Sequence, residues 1–262
     1  MMRAMWSAAA GMSAQAYNMD TISNNLANIN TTGYKKARAE FQDLLYQTIN
    51  LAGTASSANT QLPTGVQLGH GARLQAVVHS FTIGNVKHTA DQFDLAIEGD
   101  GFFQVTMPDG TIAYTRDGAF NKDQNGTIVT ASGYPIEPQI VIPQDALSIT
   151  VAQDGTVSVT QPGQAIPQEI GRISLVNFIN PAGLNHIGSN LLLQTQASGD
   201  PIEGNPGEDG LGKILQGYLE MSNVDVADEM VNMIVGQRAY EANSKTIRTV
   251  DDMLSIITNL KR

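Results

Sequence analysis

The ends of this chain carry one kind of pattern and its middle another. Near the start, Met5, Met12, Met19 and Leu26 fall seven residues apart, and Ala9 and Ala16 sit four residues after Met5 and Met12. Near the end, Val226, Met233, Tyr240, Ile247 and Leu254 repeat the seven-residue beat, with Met230 and Ile257 beside it. All 10 prolines lie between Pro63 and Pro206, so residues 1–52 and 218–262 are free of them. Alternating steps of four and three place apolar side chains on one narrow face of a helix. Such a helix has a seam to cover and needs a partner helix, because isolated helices are marginal in water. Two helix-forming arms therefore flank a body built on turns.

The first arm is predicted from about Arg3 to Ile29, ending at Asn28-Ile29-Asn30-Thr31-Thr32-Gly33, with Gly33 in the cap region. The second is predicted to start at Ser222 or Asn223 as N-cap and to run to Leu260, with Lys261 and Arg262 at its negative end. At about 1.5 Å per residue these are rods of roughly 40 and 55 Å. Between them, Asp109-Gly110, Asn125-Gly126 and Asp154-Gly155 mark three tight turns. Leu147–Val151 and Thr156–Thr160 alternate apolar and polar residues on either side of the last of these, which reads as a hairpin with one buried face. Tyr34–Leu51 is ambiguous. The stretch from about 46 to 65, including Gly53, Pro63 and Gly65, is small and polar, without a period, and reads as a flexible or extended insertion. The expected fold is α+β: long N- and C-terminal helices pairing as a coiled-coil-like domain (1–33 plus 222–262), a connecting segment (34–71), and a mostly antiparallel β central domain (72–221).

Composition narrows the function. The net charge is −10, and Lys35-Lys36-Ala37-Arg38 is the densest basic cluster, so nucleic-acid binding is not expected. There is no cysteine, which excludes disulfides and thiolate chemistry. No run approaches ~18 apolar residues, so no membrane insertion is expected. The Ala-rich start, interrupted by Ser7 and Gly11, is too weakly apolar for a signal peptide. Charged residues make up only 15%, and 19 Asn with 19 Gln supply much of the polarity, a composition suited to packing against neighbours.

No catalytic constellation emerges. His70, His79 and His88 are nine apart, which aligns nothing on a helix, and His186 is remote. Asn121–Ile128 imitates half a calcium loop, but Ser132 stands where the bidentate Glu belongs. Glu98-Gly99-Asp100-Gly101 lacks the third glycine of a dinucleotide loop. No catalytic, metal or cofactor residue is assigned, and no cofactor is expected.

Three sequence blocks then carry a resemblance. Ser23-Asn24-Asn25-Leu26-Ala27-Asn28 with Thr32-Gly33-Tyr34-Lys35 resembles the N-terminal signature of bacterial flagellar rod and hook proteins. Asp94–Phe103 with Tyr114-Thr115-Arg116-Asp117-Gly118 resembles their central domain. Gln216–Val224 and Gln237-Arg238-Ala239-Tyr240-Glu241-Ala242-Asn243 resemble their C-terminal signature. The insertion is similar to that of the distal-rod members. The resemblance implies a structural, non-enzymatic axial subunit in the basal body, where the rod crosses the periplasm. Its expected partners are copies of itself in a helical polymer, other rod proteins, the hook protein, the surrounding ring proteins and the flagellar type III export apparatus, through which it would pass without a cleaved signal peptide. A different class of function, a secreted cell-wall-binding β module with helical dimerisation arms, remains the alternative.

Overall fold

Both helices form, each shorter than the sequence predicts. In the computed structural model, which describes residues 2–53, 55–57, 60–61, 63–163 and 166–260, α1 spans Met2–Ala27 and α2 spans Val226–Leu260. Lys261 and Arg262, expected at the end of α2, lie outside the described residues. The N-cap of α2 is Asp225, not Ser222 or Asn223. The Asp225 carboxylate accepts from the Ala227 and Asp228 amides at 2.8 and 3.3 Å, and Asp228 and Glu229 add negative charge to the first turn. Asn223 is unavailable as a cap because its amide is committed to Lys36, Ser80 and Thr82. The Ser222 hydroxyl accepts from the Val224 amide.

The chain divides into two units: Met1–Leu26, Ala37–Val78 and Asp225–Arg262 form one, and Ala27–Lys36 with His79–Val224 the other. The first holds both helices and a set of ribbons. Ala37–Asp43 pairs with Ala72–His79, and Tyr46–Asn50 runs antiparallel to Val66–Gly69. At the tip, Ala55–Ser57 runs antiparallel to Thr60–Gln61. The predicted insertion is thus an extended two-stranded arm where it is described; Thr54, Ala58, Asn59 and Leu62 lie outside the described residues. Leu45, Tyr46, Ile49, Leu51, Val66 and Leu68 are exposed along it, Leu45 by 89%.

The second unit is the β body. Each of the three Asx-Gly turns joins an antiparallel pair: Phe103–Thr106 with Ile112–Thr115, Phe120–Lys122 with Ile128–Thr130, and Ser148–Val151 with Thr156–Thr160. In each turn the glycine takes the positive φ (81, 85 and 81°), where a side chain would strain. Val157 and Val159 point inward and the threonines on either side of them outward, as the alternation requires. The largest sheet has five strands in the order 136–137, 103–106, 112–115, 191–193, 185–188. Leu95–Glu98 runs antiparallel to Lys213–Gln216, and Val86–His88 to Tyr218–Glu220. The core gathers Leu95, Ile97, Phe103, Phe120, Ile136, Ile173, Leu175 and Ile214. A second cluster packs Phe102, Tyr114 and Phe178 edge to face, with centroids 4.8–5.9 Å apart.

Candidate functional site

Within the helical unit, α1 and α2 approach each other at points that run in opposite order along the two helices. Asn25 bonds to Glu229. A β-carbon on Gly236 would stand 3.4 Å from Met19 Cγ, and one on Gly11 2.8 Å from Asn243 Nδ2. Met2, Met5, Trp6 and Ala9 line a groove of about 290 Å³ together with Ile247. The two helices are therefore antiparallel neighbours.

The sequence-predicted residues divide by exposure. Met5, Met12, Ala16, Met19 and Leu26 of α1 are half-buried, and Ala9 is exposed. Met233, Ile247 and Leu254 of α2 are half-buried, while Val226, Met230, Tyr240 and Ile257 are exposed. The most covered rows are others. On α2 they are Glu229, Gly236, Asn243 and Val250; on α1, Ala8 and Ile22 with half-buried Gln15 between them, and Asn25 at the end of the half-buried row Gly11 and Asn18, with Ala14 buried beside these rows. These also fall seven apart, but most are small or polar, so a search for apolar beats passes over them. The signal was the spacing itself, in residues that let backbones approach closely.

Asn25 ties three elements of this unit together. Its Nδ2 donates to the Ala37 carbonyl at 2.8 Å and to Glu229 Oε2 at 3.3 Å, and its Oδ1 accepts from the Ala37 amide at 2.9 Å. The amide thus pairs with Ala37 as a neighbouring strand would, and both Asn25 and Glu229 are buried. Asn28 accepts from the Thr31 hydroxyl just after α1, and Asn24 lies on the exposed side of α1. Gln237 and Arg238 are exposed on α2; Arg238 reaches Glu241 at 3.2 Å, a surface pair worth little. In the insertion, Gly53 has a positive φ in open space, Pro63 is exposed, and Gly65 packs on the Asn50 carbonyl, leaving no room for a β-carbon.

In the β body, the three signature blocks converge on one carboxylate that sequence reasoning did not single out. Glu220, 1% exposed, accepts from Lys35 Nζ at 2.6 Å on Oε1 and from Arg116 Nη1 at 3.2 Å on Oε2. Its Oε1 also accepts from the Gly84 amide, and its carbonyl from the Gly33 amide. Arg116 is fixed further by the Gly99 carbonyl at 2.7 Å and lies over the Phe102 ring. Burial pushes the Lys35 ammonium below its usual range, and the Arg116 guanidinium beside it pushes the same way; Glu220 opposes both. Burial likewise lowers Arg116, against the pull of Glu220 and Asp100. Gly33 sits on this cluster at φ +67°, where a β-carbon would meet the Arg116 and Asp117 backbone at 2.7 Å. Only glycine meets both demands, so Gly33 closes a turn against the body rather than capping α1 directly.

Among the described residues no group of three or more His, Asp or Glu is placed to hold a metal, and no helix is long and apolar enough to cross a membrane. What the molecule presents is a pair of long helices with apolar rows showing, and a well-filled β body. That arrangement leaves apolar helix rows open to a neighbour. Comparison with known proteins is specific. The family model "Flagella basal body rod protein" matches residues 5–35, "Flagellar hook protein FlgE/F/G D1 domain" matches 96–159, and "Flagellar basal body rod FlgEFG protein C-terminal" matches 215–260. The flagellar basal-body rod protein FlgG of Borreliella burgdorferi is 54% identical over 100% of both chains. That of Buchnera aphidicola subsp. Schizaphis graminum is 52% identical over 99% of this chain and 100% of the relative, and that of Bacillus subtilis 41% over 100% of both. A solved Helicobacter pylori flagellar hook protein, FlgE2, is similar over 71% of this chain at 18% identity and a TM-score of 0.25; the match spans 43% of that chain. The chain belongs to the flagellar basal-body rod protein family, and its function is that of a structural subunit of the rod.

Proposed function

We propose that this protein polymerises with copies of itself into the distal part of the rod, the shaft between proximal rod and hook, and that its terminal helices pack in a coiled-coil-like manner against those of neighbouring subunits. The carrying observation is the apolar surface left showing on α2. Met230, Val231, Ile234 and Val235 are exposed together near its start, and Met253, Ile256 and Ile257 near its end. A face of this kind on a rod-forming protein calls for a neighbour, and a head-to-tail contact whose rotation does not close gives a filament. The predicted rows Met5, Met12, Met19, Leu26 and Val226, Met233, Tyr240, Ile247, Leu254 flank the covered rows and extend this surface.

The ribbon of residues 46–69 carries exposed apolar side chains on a two-stranded arm, which is marginal on its own in water. In the proposed shaft it is steadied by adjacent subunits. Other rod proteins and the hook protein cap the polymer at its ends, ring proteins surround it, and the type III export apparatus delivers it to the basal body. The test is sedimentation of Val235→Asp and Ile257→Asp beside the unaltered chain under polymerising conditions. Both variants should stay soluble with an unchanged β signal in circular dichroism. Pelleting at the level of the unaltered chain would contradict the assignment of this face.

A further inference from the structure

Residues 27–36, the last residue of α1 followed by a segment without regular structure, form a strap that lies on the β body. Hydrogen bonds tie it there. The Gly33 amide donates to the Glu220 carbonyl at 2.8 Å, the Lys36 amide to Asn223 Oδ1 at 2.7 Å, and the Thr32 hydroxyl to Asp117 at 2.7 Å. The Lys36 carbonyl accepts from the Ser80 amide, and the Lys35 carbonyl meets His79 Nδ1 at 3.0 Å. No strap residue belongs to the hydrophobic clusters of the body. Its one deeply buried side chain is Lys35, 4% exposed, whose Nζ donates to Glu220 and to the Thr82 carbonyl.

We propose that Lys35 and Glu220 form a latch: a buried ion pair that fastens the 27–36 strap to a β body that folds without it. Glu220 sits between two cations, of which only one belongs to the strap. Arg116 is anchored independently, through the Gly99 carbonyl and the Phe102 ring. Its Nε is buried with no hydrogen-bond partner among the described residues, and Asp100 acts on the guanidinium through space while Glu220 bonds to it directly. Removing the Lys35 charge leaves Glu220 paired with Arg116 and the Gly84 amide, and the body intact. Neutralising Glu220 leaves two buried cations facing each other, and the strap carries the cation that is free to leave. Breaking a buried pair by removing one partner is the costly change. The latch lies within the body alone and stands independently of the polymerisation proposed above.

The experiment is amide hydrogen exchange on the full chain. Peptides covering 27–36 are compared with peptides covering the core strands 95–98, 103–106 and 112–115. In Lys35→Met, which keeps the apolar stem, strap amides should exchange at least ~10-fold faster while core amides stay within about twofold. In Glu220→Gln the strap should speed up on the order of 100-fold. If Glu220→Gln fails to fold, Lys35→Met decides alone. Unchanged strap exchange in Lys35→Met, or strap and core accelerating together in that variant, would overturn the latch.

Discussion

The β body and the helical unit treat their apolar side chains in opposite ways. In the body, Phe102, Phe103, Ile97, Ile136 and Leu175 are no more than 1% exposed. In the helical unit, Trp6, Met230, Val231, Ile234, Val235 and Ile256 all stand more than half exposed. Gly11, Asn25, Glu229, Gly236 and Asn243 stand where the two helices approach, and the apolar side chains buried on them are few: Ala8, Ala14, Ile22 and Val250. The body thus has a filled core, with Leu147, Ile166 and Ile179 showing at its surface, whereas the helical unit leaves most of its large apolar side chains showing. In the proposed polymer this separates the part that is stable alone from the part that neighbouring subunits complete.

That contrast can be broken most severely in the core. Phe103→Ala, at a fully buried position that packs edge to face on Phe120, should destabilise the body by roughly 3–5 kcal/mol, measured by urea unfolding. A loss below about 1 kcal/mol would mean the body is not the self-sufficient unit described. Next, Gly33→Ala should cost on the order of 1–3 kcal/mol through its positive φ and the Arg116–Asp117 backbone, and should loosen the strap before the core. A Gly33→Ala variant as stable as the unaltered chain would remove the steric argument for that glycine.

A smaller effect should follow pH. Although His186 counts among the exposed residues, its ring lies on that of His79 with centroids 3.9 Å apart, and the Phe81 ring lies 6.4 Å away. Burial, then the His79 ring, lowers the His186 pKa to about 4. In the unfolded chain the imidazole takes its proton near the ordinary value of about 6.5. Between these values the unfolded state binds more protons, so the contribution is complete above pH ~6.5 and is lost as pH falls towards about 4. The urea midpoint of the body should be lower at about pH 4.5 than at about pH 7, and His186→Gln should flatten that difference. An equal slope in the variant would assign the pH dependence to other groups.

The sequence made the coarse architecture legible because its signals were local. Proline-free arms with a beat of seven became α1 and α2, and the three Asx-Gly turns each joined an antiparallel pair. Helix ends were misread where side chains had distant partners: Asn223 looks like a cap but is claimed by Lys36 and Thr82. The covered helix rows were overlooked because Gly236 and Asn243 are not apolar. Glu220 was invisible for a stronger reason. Its partners, Lys35 and Arg116, lie 185 and 104 residues away, and nothing local marks a surface-type residue as buried. The motif Asn24-Asn25-Leu26 was recognisable as a pattern, but its work, a side-chain amide standing in for a strand beside Ala37, needed coordinates.

In the proposed rod, the exposed faces of the terminal helices are covered only on assembly. Trp6, the single tryptophan, reports on it directly, being 70% exposed on α1 beside the groove that Met5 and Ile247 line. Its fluorescence maximum should lie at the wavelength of a water-exposed indole in the free subunit and move to the blue as polymer forms, in step with sedimentation. Emission that stays put while the protein polymerises would contradict the account.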